Sequence, residues 1–220
     1  MRAALDALVA YDPRLAGIEQ RAGPLPWRVR AGGFPGFLQI VMGQQISNQA
    51  ALAIWLRLAA LPGALTPEGL LALDEATLRA AGLSRPKVAH ARALAAAFAS
   101  GQLSGPALER LSDAEAMAAI TAVRGLGPWT AEVYLLFALQ RQDVFPAGDI
   151  AVAGAAADIM GLSSRPAPQT LRTLAEVWRP SRALAARLLW HHWRHLTGRP
   201  SFDDAPSGPS PVYRAFTRAV

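Results

Sequence analysis

Ile120–Val152, ITAVRGLGPWTAEVYLLFALQRQDVFPAGDIAV, holds two features at a fixed separation. A double-glycine turn, Gly125-Leu126-Gly127, runs straight into Pro128-Trp129-Thr130-Ala131. Asp149 follows Trp129 by twenty residues, inside Pro146-Ala147-Gly148-Asp149. Glycine tolerates positive φ, so two glycines around one apolar residue allow a tight turn that aims successive N–H groups outward. Those donors stand where a helix begins, and there both unsatisfied amides and the helix dipole favour an anion. Such a turn holds a nucleic-acid phosphate without reading a base, with Gly125, Gly127 and Thr130 as the phosphate-binding positions. Leu126 would plug the hairpin onto its own two helices. A plain turn between helices has the same pattern, and G-x-G alone does not decide between them.

The flanking residues predict helices. Ser112-Asp113-Ala114-Glu115 fits a capping box and opens the helix that ends at the turn. Pro128 suits the first position of the next, which runs to about Leu139. Asp149 can cap a helix from Ile150, and Pro168 and Ser181 can start two more. Upstream, residues 1–11 and 13–21 read as two short helices. Pro35 to Gln45 and Ser47 to Pro62-Gly63 carry helical apolar spacing. Thr66-Pro67-Glu68, Asp74-Glu75 and Ser84 to Ala99 add three further helices. Alternating apolar–polar runs are too few for a sheet, so the fold class is all-α, with ten or so short helices. The tail 203–211 is polar and Pro-rich, with 213–219 expected to make a last contact.

Composition narrows the function. Apolar residues make up 52% of the 220, which argues against disorder. No run of 18 uncharged apolar residues occurs, so no membrane span is expected. The start, MRAALDALVAYDP, carries an acid inside its apolar stretch and reads as an amphipathic helix, not a signal peptide. The absence of cysteine excludes disulfides, thiolate metal sites, iron–sulfur clusters and Cys nucleophiles, and fits a cytoplasmic location. The basic residues are 21 Arg and one Lys, Lys87. Residues 150–220 hold nine basic and four acidic side chains, whereas residues 1–149 hold thirteen and twelve. An Arg-rich half points to a polyanionic partner, nucleic acid foremost.

With these residues in view, VRGLGPWTA resembles the hairpin of the helix-hairpin-helix (HhH-GPD) DNA glycosylase superfamily. Pro146 to Asp149 resembles the loop and acid that follow it there. Gly43-Gln44-Gln45-Ile46-Ser47, Trp129-Thr130-Ala131 and Trp178-Arg179-Pro180 leading to Trp190 are similar to the 3-methyladenine DNA glycosylase II branch. The likeness spans roughly residues 30–200. The expected organisation is one compact, two-lobed helical bundle with a cleft between lobes. Lobe A would take about 1–46 plus 150–220, and lobe B about 47–149 with the hairpin at 120–139. Larger bacterial members carry a further N-terminal β-containing lobe, expected here to be absent or vestigial.

Asp149 is the candidate catalytic residue. Breaking a glycosidic bond builds positive charge on the sugar, and a carboxylate beside C1′ stabilises it. An Asp in this position also serves as a plain N-cap, and the hairpin twenty residues before it tips the reading to catalysis. Relatives that also nick the strand attack the sugar with a hairpin Lys. Trp129 occupies that position here, which predicts base release by water alone. Lys87 is expected at the surface or on a phosphate.

A flipped base needs flat walls. Trp129, Trp190, Tyr134 and Phe37 are the pocket candidates, with Phe34 near the entrance, and Trp55 and Trp178 are assigned to the core. Val133 stands where the family often has an aromatic. Arg187, Trp190, His191 and Arg194 share one helical face, and Arg187 and Arg194 are the phosphate-binding candidates there. By resemblance, Gln44 approaches the flipped base and Gln45 takes the place of the wedge that fills the vacated stack. The family's hairpin also implies a monovalent cation, Na or K, on the backbone carbonyls of Thr121, Val123 and Leu126. His191, His192 and His195 lack the companion ligands of a zinc site, and no other cofactor is required. The resulting expectation is a monomeric, monofunctional glycosylase acting on alkylated bases in double-stranded DNA, with no membrane and no obligate protein partner. Two readings stay open: a non-catalytic helix-hairpin-helix DNA binder, and a monofunctional glycosylase for oxidised or mismatched bases.

Overall fold

Capping residues decide where the helices of this chain begin. Asp12, Ser47, Thr66, Asp74, Ser84, Ser112 and Asp149 each accept a backbone N–H from the turn that follows. The expected capping box is formed, with Ser112 and Glu115 exchanging bonds. Pro128 sits in the first turn of its helix and Pro168 in that of another. Ser181 makes no side-chain cap bond.

The computed structural model describes residues 2–199; the expected contact at 213–219 lies outside them. Thirteen α-helices and no strand occur among the described residues. In order they are α1 Arg2–Tyr11, α2 Ile18–Ala22, α3 Gly33–Gly43, α4 Asn48–Ala59, α5 Pro67–Ala72, α6 Glu75–Ala80 and α7 Arg85–Ala99. Then follow α8 Gly105–Arg110, α9 Asp113–Thr121, α10 Pro128–Phe137, α11 Ile150–Ile159, α12 Pro168–Leu174 and α13 Arg182–Thr197. No helix among the described residues is long and apolar enough to cross a membrane.

The chain divides into two units, Met1–Arg28 with Gln140–Arg199, and Val29–Leu139. The boundaries differ from those expected at 46/47 and 149/150. α3 belongs to the second unit because its apolar residues Phe37, Leu38, Val41 and Met42 are buried where it packs on α4, α7 and α10. Residues 140–149 belong to the first unit. There Asp143 takes salt bridges from Arg179 and Arg182, and Phe145 packs against Trp178.

In the first unit α11 and α2 pack on α13. Trp178 is fully buried, as assigned from sequence, and its indole N–H donates to Asp12 at 2.7 Å. Arg14 closes a fork on the same carboxylate, and its hydrogen bonds hold Asp12 below the usual carboxylate pKa.

In the second unit Phe37 and Tyr134 are both 0% exposed and stack face to face, with centroids 3.6 Å apart. Both are therefore core residues and not the base-pocket walls that the sequence suggests. α3 and α10 meet face to face there, so both rings fill the interior. The Tyr134 hydroxyl accepts the Gly33 N–H at 2.8 Å and so satisfies its own polar end inside the protein. Phe34 is buried beside them, edge-on to Phe98.

Gly36 marks the tightest approach in this core. A Cβ there would fall 1.9 Å from the carbonyl oxygen of Ala31 and 2.9 Å from its carbon. Backbone cannot swing aside as a side chain can, so Gly36→Ala should cost about 1–3 kcal/mol of overpacking, or more. Thermal denaturation of the variant checks this, and an unchanged Tm would show that the turn at Ala31 yields freely.

Candidate functional site

The hairpin forms between α9 and α10 in the unit 29–139. Gly125 has φ +89, the left-handed region that favours glycine. The His90 ring packs against it, 2.3 Å from where a Cβ would be. Leu126 is buried beneath the turn, as the plug reading requires, and its N–H bonds to Val123 O at 3.0 Å. Ala131 N–H makes the first helical bond of α10, to Gly127 O at 3.1 Å. Pro128 has no N–H, so the amides of Trp129 and Thr130 lead the helix, where an anion is favoured. Trp129 is half-buried at this lip. The Thr130 side chain is buried, and its hydroxyl accepts from Gln44, so of Thr130 only the backbone suits a phosphate.

Gln44 reaches the hairpin from the end of α3. Its Nε2 donates to Gly125 O at 3.0 Å and to Thr130 Oγ1 at 2.9 Å. Gln45 is exposed and left-handed, at φ +58. Lys87 is corrected from a surface residue to a buried one, 8% exposed, and burial pushes its pKa down. Its ammonium donates to the carbonyls of Val41, Met42 and Gln44 at 2.8, 3.0 and 2.9 Å. Sequence reasoning missed this role, although one Lys among 21 Arg was a signal. A compact ammonium with three N–H groups suits three converging carbonyls, and a planar guanidinium does not.

Asp149 belongs to the other unit and caps α11. Its Oδ1 accepts Ala151 N–H at 2.8 Å, Val152 N–H at 3.0 Å and the Trp190 indole N–H at 3.0 Å. Three donors converge on one oxygen and fix the orientation of the carboxylate. Trp190, half-buried on α13, therefore touches the acid directly.

Arg187 and His191 on that face of α13 turn inward. Arg187, expected on a phosphate, is 5% exposed and donates to Arg28 O at 2.7 Å. Its guanidinium lies 4.3 Å from the ring centroid of Trp27. Arg187 and His191 pack on residues 23–28 of their own unit, so the charge of Arg187 serves the interior. His191 is buried there, with Nε2 2.8 Å from Gly23 O, and Arg194 Nη2 lies 3.1 Å from its Nδ1. Arginine can only donate, so Nδ1 accepts and Nε2–H donates to Gly23 O. His192 pairs instead with Asp158 at 2.6 Å. No group of three or more His, Asp or Glu that could hold a metal occurs among the described residues.

Burial pushes the His191 pKa below its ordinary 6.5, against the bond to Gly23, and Arg194 and Arg28 push the same way. The folded protein thus takes up this proton less readily than the unfolded chain. The stability involved is present above about pH 6.5 and is lost as pH falls through the lower folded value. Melting scans from pH 7 to 5 should show a smaller loss of Tm in His191→Gln than in the parent protein. Parallel losses would mean that His191 does not titrate there.

A family model described as HhH-GPD superfamily base excision DNA repair protein matches residues 38–180. DNA-3-methyladenine glycosylase 1 of Schizosaccharomyces pombe is 32% identical over 157 residues, which cover 70% of this chain and 69% of that protein. The alkylbase DNA glycosidase-like protein mag2 of the same yeast is 27% identical over 193 residues, 83% of this chain and 89% of its own. The structure of the S. pombe 3-methyladenine DNA glycosylase in complex with abasic DNA aligns with a TM-score of 0.79 at 28% identity. It covers 88% of this chain and 96% of its own. A Bacillus halodurans DNA-3-methyladenine glycosidase aligns at 0.74, also with 28% identity, over 91% and 94% of the two chains.

Proposed function

The chain belongs to the HhH-GPD superfamily of base excision DNA repair proteins, within the 3-methyladenine DNA glycosylase family, and from that premise we propose that it hydrolyses the N-glycosidic bond of alkylated bases, of the 3-methyladenine and 7-methylguanine type, in duplex DNA and leaves the strand uncut. One observation carries the reading: the Asp149 carboxylate is held by three N–H donors on a single oxygen. As the C1′–N bond breaks, its electron pair leaves with the base and positive charge grows on the sugar. A fixed carboxylate stabilises that charge without reorganising. Water then adds its oxygen to C1′, and its proton passes to Asp149 and on to solvent. A purine alkylated at N3 or N7 is cationic in the strand and leaves neutral, so no strong general acid is needed.

The lysine chemistry of strand-nicking relatives has no counterpart at the hairpin, where Trp129 stands. Lys87 has its ammonium bonded to three buried carbonyls. Trp129 and Trp190 are each half-buried, and an indole face attracts a cationic base by about 0.5–2 kcal/mol. At the hairpin, three neutral carbonyl oxygens suit a monovalent cation. Val123 O accepts the Leu126 N–H, and a carbonyl has a second lone pair. Thr121, Val123 and Leu126 would hold the ion, adding positive charge beside the leading amides of α10.

Incubation with methylated duplex DNA tests the reading. Free methylated purine should appear while the strands stay whole until alkali is added, and borohydride should trap no protein–DNA adduct. A trapped adduct would overturn the monofunctional assignment. Release of oxidised or mispaired bases in place of methylated ones would overturn the substrate class. Failure to release any of them would leave a DNA-binding module.

A further inference from the structure

Lys87 supplies something the glycosylase reading leaves unexplained: a reason for the left-handed residue at the exposed end of α3. The helix stops at Gly43, and its last carbonyls need donors from elsewhere. All three N–H groups of the Lys87 ammonium are directed at carbonyls, two in the last turn and one beyond it at Gln44. A cation is well placed at a helix C-terminus. The bond to Gln44 O does more, because it fixes the peptide plane that joins Gln44 to Gln45.

Gln45 then turns at φ +58, a conformation that costs an L residue with a side chain roughly 1–2 kcal/mol. Such strain persists where the surroundings over-determine the backbone. Here Lys87 holds the near side of the turn, and Ser47, which caps α4 through Ala50 N–H, holds the far side. Between them Gln45 and Ile46 project, exposed, with Ile46 37% accessible despite its apolar side chain. The same Gln44 is bonded through Nε2 to Gly125 O and Thr130 Oγ1 of the hairpin. A phosphate bound at the hairpin would therefore fix where the tip sits along the strand.

We propose that Lys87 is a positioning residue for DNA intrusion: by holding the Val41, Met42 and Gln44 carbonyls it fixes the strained Gln45–Ile46 tip in register with the hairpin, so that the tip enters the duplex at the target base. The proposal rests on the glycosylase reading and on a hairpin-bound phosphate. Lys87 touches neither the base nor the sugar in this role; it acts through the tip. Losing it should hurt most where a paired base must be pried out, and least where the base has no partner.

The test compares Lys87→Met with the parent protein on two duplexes of equal length. One carries a methylated purine opposite its normal partner, the other the same purine opposite an abasic site. Both proteins are assayed below their melting temperatures, measured beforehand. The expected result is a fall in kcat/KM of about tenfold or more on the paired lesion and less than about threefold on the unpaired one. Equal losses on both duplexes would make Lys87 a general brace and overturn the proposal, as would no loss on either. Should Lys87→Met fail to fold, the same comparison is made with Gln45→Gly. That variant relieves the left-handed strain and removes the intruding side chain while leaving Lys87 in place. It should show the same selective loss, and equal losses there would again overturn the role of the tip. Failure of the glycosylase reading looks different, because the parent protein would then release no base from either duplex.

Discussion

Asp149→Asn should lower the rate of base release by about 10²–10³-fold, the scale on which one well-placed group stabilises charge in a transition state, while affinity for undamaged duplex DNA stays within about twofold. The substitution separates the cap that Asp149 forms from the catalytic charge proposed for it. Asparagine caps a helix as well as aspartate does, so the N–H groups of Ala151 and Val152 keep an acceptor. The Trp190 indole keeps one too. The fold should therefore be nearly unaffected, with a change in stability of no more than about 0.5 kcal/mol. Only the negative charge is lost. Single-turnover release of methylated purine, measured with anisotropy on undamaged duplex and a thermal melt, checks all three parts. Activity near the parent level would reduce Asp149 to a helix cap. A parallel loss of binding and stability would mean that the charge had served the fold.

The cap at Asp149 also shows how far the sequence could be read. Asp149 was legible as a cap because capping depends on neighbours within three residues. The same holds for the Ser112–Glu115 box, Pro128 and the left-handed Gly125. Contacts between distant residues were a different matter. Phe37 and Tyr134 have the flat rings of a base pocket, but ninety-seven residues separate them and no spacing rule pairs them. They stack on each other inside the core. Arg187 and His191 share a face with Trp190, as the helical period requires. Periodicity gives the face but not what lies against it, and residues 23–28 lie there. Lys87 was hardest to place, because its three acceptors are backbone carbonyls that any residue type could have supplied.

Gly125→Ala carries the second large effect, and here stability and binding should fail together. An alanine at φ +89 is strained whatever the space around it, by roughly 1–2 kcal/mol. There is also no space. The new methyl would lie 2.3 Å from His90 Cγ and 2.8 Å from its Cβ. A ring tip could swing aside, but Cβ is fixed to the α7 backbone, so overpacking should add about 1–3 kcal/mol. The hairpin can escape only by moving off α7. That move would stretch the bond from Gln44 Nε2 to Gly125 O and shift the amides that lead α10. If those amides hold a phosphate, affinity for undamaged duplex should drop by tenfold or more, since hydrogen bonds to a charged group contribute about 1.5–3 kcal/mol each. The double variant His90→Ala with Gly125→Ala separates the causes. It makes room for the methyl, so it should recover the packing part of the melting temperature and leave the backbone part lost. Binding should recover only as far as the hairpin returns to its place on α7. A Gly125→Ala protein that melts lower yet binds duplex as tightly as the parent would show that the phosphate is held elsewhere, and the anion-binding role of the turn would then be wrong.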